Sequence, residues 1–314
     1  MGVSLFIYTS MLESKLKHYF LLHFIVFIWG FTAILGALIS IDAIPLVFFR
    51  MALATFFIML FFLLKKKSFR LNKKGVVKFL LTGIIIATHW IFFFKAIKVS
   101  NVSVALVTMS TGAFFTSLIE PLFFRRKINT LEIFLGLFVI IGLYIIFNFE
   151  SQYKLGILYA LISSFLGSLF AVLNGLFVKE YDANRISLYQ LFFGALFVGL
   201  YLFFTKGYHP EFFNLSLNDW FYLIILSSIC TAFAFIASVS VMKYLSPYTV
   251  MLTINLEPIY AIILALFIFG DKERMKPEFY LGACIVLGVV LLNGFIKNRK
   301  TIQQKILRKA NAKK

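Results

Sequence analysis

A single carboxylate interrupts a helix-length apolar stretch of the chain, "TINLEPIYAIILALFIFG" at 253–270. Glu257 is followed directly by Pro258, which has no backbone N–H and leaves a carbonyl one turn earlier without its helical partner. In helical spacing, Thr253 lies one turn before the acid and Tyr260 one turn after it. This face offers a hydroxyl, a carboxylate and an aromatic ring, which are suited to binding a substrate amine or carrying a coupling proton.

The other ionisable residues in apolar runs are few, and each is a functional candidate because a charge at the bilayer centre costs about 2.5–3.5 kcal/mol on insertion scales. Arg50 ends "IPLVFFR" and either holds a substrate carboxylate or ties helices together through carbonyls. Glu257 has its own alternative, as a structural partner for Arg50 or for a backbone donor. Lys95 is expected to be an interface anchor and Glu120 a partner of the arginines that follow it. His89 is the remaining member of this group.

Uncharged polar and aromatic residues in apolar runs complete the predicted substrate-binding or coupling set. They are Thr111, Asn255, Trp90, Ser110, Ser168, Asn174 and Gln190. Several lie on small-residue faces, which close helix packing explains equally well. The sequence predicts no catalytic residue, no metal site and no cofactor, because the four histidines are scattered and H-E-x-x-H is absent.

The composition places these residues in a membrane. The chain is 61% hydrophobic and 14% charged, whereas about a quarter of the residues in soluble domains are charged. A helix needs about 20 apolar residues to cross a bilayer, and we predict ten such spans, at 18–40, 44–64, 76–97, 100–124, 131–149, 155–178, 186–204, 218–242, 246–269 and 277–296. Alternating segments of about ten residues, typical of a β-barrel, are absent.

The positive charges predict the orientation. Of the 31 Lys and Arg residues, 23 lie in the loops and termini on one side, around "KKKSFRLNKK", "RRK" and the tail at 297–314. The positive-inside rule puts both termini in the cytoplasm. The net charge of +18 therefore indicates topology and contact with membrane lipid, and no nucleic-acid partner is expected. The opening "MGVSLFIYTS" has no basic n-region, so we expect no cleaved signal sequence.

The chain repeats itself at a constant offset of 146 residues. The matching pairs include Ser100 with Ser246, Glu132 with Glu278, Gly136 with Gly282 and Gly142 with Gly288, and the offset pairs Glu257 with Thr111. Five spans per copy is an odd number, so the second copy must cross the membrane upside down. Inverted repeats have two nearly equivalent packings around a midplane site, which is the physical basis of alternating access. Simple duplication of a stable helical unit is the alternative.

Four stretches together resemble the EamA group of the drug/metabolite transporter superfamily: "FIWGFTAILGALIS", "IPLVFFR", "LEPIYAIILALFIFGD" and "YLGACIVLGVVLL". The resemblance implies ten helices, cytoplasmic termini, a central cavity and export of amino acids or related metabolites. One departure is that the family often has Gly-Glu after the fourth and ninth spans, where this chain has Phe124-Arg125 and Gly270-Asp271.

We therefore predict an all-α integral membrane protein with ten transmembrane helices in two inverted five-helix repeats. Its parts are an N-terminal cytoplasmic segment at 1–17, repeats at 18–150 and 151–296, and a basic cytoplasmic tail at 297–314. The predicted function is a non-enzymatic secondary transporter that exports amino acids or similar small metabolites across a bacterial cytoplasmic (inner) membrane by alternating access, with proton coupling as an option. We expect a monomer or weak homodimer. The alternatives are a membrane-embedded enzyme, a drug efflux carrier and a channel.

Overall fold

The computed structural model describes residues 2–125, 127, 130–289, 291, 292 and 296, and within them the chain is helical. The predicted tail at 297–314 lies outside the described residues. The helices are α1 (Gly2–Leu38), α2 (Ala43–Leu64), α3 (Lys73–Val99), α4 (Val102–Met109), α5 (Gly112–Phe124), α6 (Thr130–Phe149), α7 (Lys154–Phe177), α8 (Ala183–Phe204), α9 (Leu217–Ser227), α10 (Ala234–Val241), α11 (Pro247–Ile254), α12 (Glu257–Phe269) and α13 (Pro277–Val289).

The first nine predicted spans are confirmed to within a few residues, and the tenth, predicted at 277–296, is helical over Pro277–Val289 and then runs into residues outside the described part. Eight helical stretches in the described part of the chain are long and apolar enough to cross a membrane, and two shorter apolar helices, Phe134–Phe149 and Pro277–Val289, match the fifth and tenth spans. Helices form here because every backbone N–H and C=O in hydrocarbon must find a partner within its own segment. α1 has 37 residues, which at about 1.5 Å per residue is longer than a bilayer is thick.

Two spans are interrupted at equivalent places in the two repeats. The fourth span consists of α4 and α5 joined by Ser110 and Thr111, and the ninth of α11 and α12 joined by Asn255 and Leu256. At both joints the backbone N–H donates three residues back, to Thr108 in the first repeat and to Leu252 and Thr253 in the second. Discontinuous helices in corresponding positions of inverted repeats are the places where transporters build their binding sites.

The two repeats interlock in one bundle. α3 packs against α7 and α8, α2 against α8, and α1 against α10 and α12, so most of the extensive helix contacts join the first repeat to the second. Between α6 and α13, a Cβ added to Gly142 lies 2.9 Å from the Gly282 carbonyl oxygen, and one added to Gly282 lies 2.8 Å from that of Gly142. Glycine lets these two helices touch through their backbones.

Buried carboxylates close one end of the bundle, which we call the far end and which contains the loops 39–42, 99–101 and 270–276. Glu273 accepts hydrogen bonds from the backbone N–H groups of Val102 and Ser103, both at 2.9 Å, and from the Ser103 hydroxyl at 2.7 Å. Asp219 accepts from the Ser40 N–H and hydroxyl, both at 2.7 Å. Each bond joins one repeat to the other, so these acids hold the far end together.

The basic end, which contains the loops 65–72 and 178–182, has corresponding connections that are more exposed. Lys78 forms an ion pair with Glu180 at 2.7 Å, and both side chains remain accessible. An exposed pair of this kind contributes about 0–1 kcal/mol. A buried hydrogen bond also lies at this end, where Glu120 accepts from the Tyr248 N–H at the start of α11, at 2.9 Å.

The close approach of α3 and α8 gives a test of the fold. A Cβ at Gly83 lies 2.6 Å from the Gln190 carbonyl oxygen and 3.0 Å from the Gly194 nitrogen, which are backbone atoms that cannot turn aside. We expect Gly83→Leu to cost more than the roughly 1–3 kcal/mol usual for overpacking and to lower the thermal unfolding midpoint in detergent. Gly288→Leu is the matched control because nothing lies within 4 Å of its Cβ position. Equal midpoints for the two variants would contradict this packing.

Candidate functional site

A cavity between the repeats contains charged groups and aromatic walls. It provides about 100 Å³ of space for water-sized molecules, and its mouth opens to solvent. Its walls come from spans of both repeats, and they are formed by Trp29, Thr32, Arg50, His89, Trp90, Phe93, Met109, Gly167, Phe170, Ala171, Cys230, Phe235, Ser238, Met242, Val250, Met251, Ile254 and Glu257. The lining extends from the middle of the bundle to residues near the basic end, so the charged groups lie at the deeper part of the cavity.

Glu257 lies at the first position of α12, directly after the interruption of the ninth span. The first N–H groups of a helix have no partners within it and stabilise a nearby negative charge. Ile254 also lines the cavity. Its backbone carbonyl receives no helical hydrogen bond from Pro258, because proline has no N–H. Among the described residues, the Glu257 carboxylate forms no ion pair and no hydrogen bond. The acid therefore presents an unpaired carboxylate to the cavity.

Arg50 is held rigidly at the cavity wall and is only 2% exposed. Its Nε donates to the Thr231 hydroxyl at 2.7 Å, and its guanidinium carbon lies 3.8 Å from the centre of the Trp90 ring. The Nη1 group is buried without a hydrogen-bond partner. A buried donor without a partner costs about 1–3 kcal/mol or more when charged, and because Nη1 is enclosed, a ligand oxygen can reach it only if the surrounding wall shifts.

A π-helical turn, Ser228–Phe233, positions the groups around Arg50. The Thr231 hydroxyl donates to the Leu226 carbonyl at 2.7 Å, so its oxygen faces the arginine as an acceptor. The Cys230 carbonyl accepts from the Trp29 indole at 3.1 Å. π-Turns are rare and frequently mark functional sites, and this one orients a cavity cation and a cavity aromatic together.

Arg50 and Glu257 line the same cavity without forming an ion pair. The ion pairs between described residues are Lys78 with Glu180 and Arg274 with Asp271, and neither is at the cavity. The expectation that Glu257 is a structural partner of Arg50 therefore has no direct contact to support it. The cavity wall therefore holds a basic and an acidic side chain that no ion pair joins.

A row of aromatic rings runs along the cavity wall from Trp90, beside Arg50, to His89. Trp90 contacts Phe235 with ring centres 6.1 Å apart, Phe235 contacts Phe170 at 6.3 Å, and Phe170 contacts the His89 ring at 5.3 Å. These edge-on and tilted ring contacts add to the stabilisation that comes from burying the apolar surface of the rings. The wall suits the apolar part of a small organic molecule.

Other residues predicted for the site lie away from the cavity, at the interruption of the fourth span. Thr111 donates to the Ser164 hydroxyl at 2.9 Å and Ser168 to the Gly112 carbonyl at 2.7 Å, while Ser110 donates to the Leu106 carbonyl at 3.1 Å. Hydroxyls of α7 thus satisfy the backbone at this joint. The equivalent joint of the ninth span has a free carboxylate instead.

Asn174 and Gln190 form a separate buried cluster with Thr82, between α3, α7 and α8. The Gln190 amide nitrogen donates to Asn174 at 2.6 Å and to the Thr82 hydroxyl at 2.8 Å. The Asn174 Nδ2 and the Gln190 Oε1 have no partners. Neither residue lines the cavity.

The three predicted neighbours of Glu257 also point elsewhere. Thr253 donates to the Thr249 carbonyl at 2.9 Å, and Asn255 is buried outside the lining with its Nδ2 unpartnered. The Tyr260 ring packs on Phe27, with ring centres 5.7 Å apart. The structure thus brings Glu257, Arg50 and Trp90 together at the cavity, and it places the other predicted residues in the surrounding packing.

Trp29, Phe170 and Phe235 line the cavity but were not predicted, and His89 was a candidate only as an ionisable residue. The only sequence signal among them is His89, an ionisable residue in an apolar run. Nothing in the sequence distinguishes the cavity aromatics from the many other phenylalanines, since 41 are present.

The arrangement defines a class, that of multi-pass membrane proteins in which two interlocked helical repeats enclose a solute-sized cavity. A model of the EamA-like transporter family matches the chain twice, at residues 16–148 and 154–295. The chain therefore belongs to the EamA-like transporter family, within the drug/metabolite transporter superfamily. It is a transporter and not an enzyme.

Relatives agree with this assignment. A protein named as an uncharacterized transporter from Bacillus subtilis (strain 168) is 23% identical over 261 residues, covering 81% of this chain and 79% of the relative. Another from Archaeoglobus fulgidus is 23% identical over 88% of this chain and 96% of the relative. A protein of known crystal structure superimposes with a TM-score of 0.65 at 15% identity, over 89% of this chain and 97% of its own, which shows a shared fold.

Proposed function

We propose that this protein is a secondary transporter that moves amino acids or similar small zwitterionic metabolites by alternating access. The observation that carries the proposal is the pair of opposite charges, Arg50 and Glu257, facing one cavity without an ion pair between them. Burying charges without partners is costly. A bound amine at Glu257 and a bound carboxylate at Arg50 remove that cost, so the cavity favours a molecule with both groups.

Alternating access follows from the inverted repeats and from the different ends of the bundle. Buried carboxylates close the far end, whereas the cavity lining reaches Met242 and Val250 toward the basic end. We assign this packing to the state open at the basic end. Exchange of the two packings exposes the same site to the other side.

The remaining parts of the proposal concern orientation and coupling. With the basic end in the cytoplasm of a bacterial cell, both termini are cytoplasmic, and the normal direction is export across the cytoplasmic membrane. Glu257 either binds the substrate amine alone or also carries a coupling proton. The two repeats are residues 18–150 and 151–296. The protein acts as a monomer or a weak homodimer.

The test is solute loss from proteoliposomes containing the purified full chain. The vesicles are preloaded with a mixed pool of amino acids and metabolites, and loss is measured by mass spectrometry with and without a proton gradient. We expect selective loss of zwitterions that saturates with concentration. Loss of every solute equally, or of none, overturns the proposed function, and unsaturable conductance indicates a channel.

A further inference from the structure

We propose that His89 forms a neutral acceptor subsite, which selects substrates whose apolar part ends in an O–H or N–H donor. This inference rests on the proposed function and concerns the same cavity. His89 lines the cavity, yet neither the charge pair nor the aromatic wall requires a histidine at this position. A phenyl ring would serve the wall equally well.

The contacts of Ser163 fix which ring nitrogen of His89 carries hydrogen. His89 Nδ1 lies 2.8 Å from the Ser163 carbonyl oxygen, which can only accept. The Ser163 hydroxyl donates to the His89 carbonyl at 2.8 Å, so its hydrogen is not available to Nδ1, 2.9 Å away. Nδ1 must therefore donate, and in the neutral imidazole, which has one N–H, Nε2 is an acceptor.

The ring is also fixed in place. A Cβ added to Gly167 lies 3.0 Å from His89 Cε1 and 3.2 Å from Nδ1, so the ring packs against bare backbone of α7. The Phe170 ring covers it, with centres 5.3 Å apart. Nε2 has no hydrogen-bond partner among the described residues and is not among the fully enclosed polar atoms. Its lone pair is therefore directed to the cavity.

The position of His89 relative to Arg50 defines the substrate chemistry. Arg50 lies on Trp90, and the ring contacts then lead through Phe235 and Phe170 to His89. A molecule whose carboxylate meets Arg50 and whose apolar part follows this wall ends at Nε2. An O–H or N–H there satisfies the acceptor, whereas a C–H end leaves it unpaired.

The test is competitive uptake of L-tyrosine and L-phenylalanine, which differ by one hydroxyl, into proteoliposomes. We expect the full-length wild type to prefer tyrosine about tenfold. His89→Phe keeps an aromatic ring and removes the acceptor, so we expect this variant to take up tyrosine and phenylalanine about equally. His89→Gln can place its amide oxygen near the former Nε2, and it retains part of the preference. His89→Asn reaches only the Nδ1 position and loses it.

Glu211→Gln, in an exposed loop away from the cavity, is the control, and the preference should persist in it. Unchanged preference in His89→Phe, or no preference in the wild type, overturns the subsite while the proposed function stands. Transport of small amino acids with exclusion of both probes also overturns it. Absence of any saturable transport defeats the proposed function itself, and the subsite with it.

Discussion

Glu257→Gln is expected to lower the rate of substrate transport by about tenfold or more while the protein remains folded. The amide has the same shape, but it carries no charge for a substrate amine and no exchangeable carboxyl proton. A hydrogen bond to a charged group contributes about 1.5–3 kcal/mol, so the loss in rate should be about tenfold to a hundredfold or more. Glu257→Asp keeps the charge with a shorter reach and should retain partial activity.

Two measurements separate the roles of Glu257. Exchange of labelled substrate across vesicles needs binding but no net proton movement, whereas gradient-driven transport needs both. Loss of both in Glu257→Gln indicates substrate binding, and loss of the gradient response alone indicates a proton carrier. Glu211→Gln, in an exposed loop, is the matched control and should behave as wild type. A normal rate in Glu257→Gln contradicts the assignment of this acid to the site.

Arg50→Lys is expected to reduce transport by about tenfold or more although it keeps the positive charge. Lysine has no planar fork for a carboxylate, and it loses the combination of the Nε bond to Thr231 and the stack on Trp90. The effect should appear mainly as weaker binding of substrates that carry a carboxylate. Saturation curves for exchange, measured in the same vesicles, give the change in apparent affinity.

Thr231→Val tests whether the orientation of Arg50 matters. It removes the acceptor of the 2.7 Å bond from Nε and leaves the guanidinium charge in place. We expect a smaller loss than in Arg50→Lys. Arg274→Lys, on an exposed side chain, is the control. Wild-type affinity in Arg50→Lys would show that this arginine only ties helices together.

The spans were predictable because length and apolarity alone determine what crosses a bilayer. The charged site residues were also visible in the sequence, since Arg50 and Glu257 stand alone in apolar runs. Pro258 was seen to leave a carbonyl without its helical partner, but the ninth span was predicted as one continuous helix at 246–269. The interruption at Ser110 and Thr111 has no proline, and only the 146-residue offset relates the two positions.

The uncharged polar residues were harder to place because polarity does not say which partner a side chain finds. Thr111 and Ser168 satisfy the backbone at the fourth span, and Gln190 binds Asn174 and Thr82. Such bonds depend on which helices face each other across the two repeats. The role of Ser163 in orienting His89 also joins residues 74 positions apart, and no local pattern encodes it.

The central claim is that a substrate binds beside Glu257 and is carried between the two sides. The most direct test is counterflow, in which vesicles preloaded with unlabelled substrate take up labelled substrate from outside, for wild type and Glu257→Gln in parallel. We predict that the wild type accumulates label transiently, with saturation, and that the folded variant accumulates at least about tenfold less. Equal accumulation in both proteins, or flux that does not saturate in the wild type, would contradict the account.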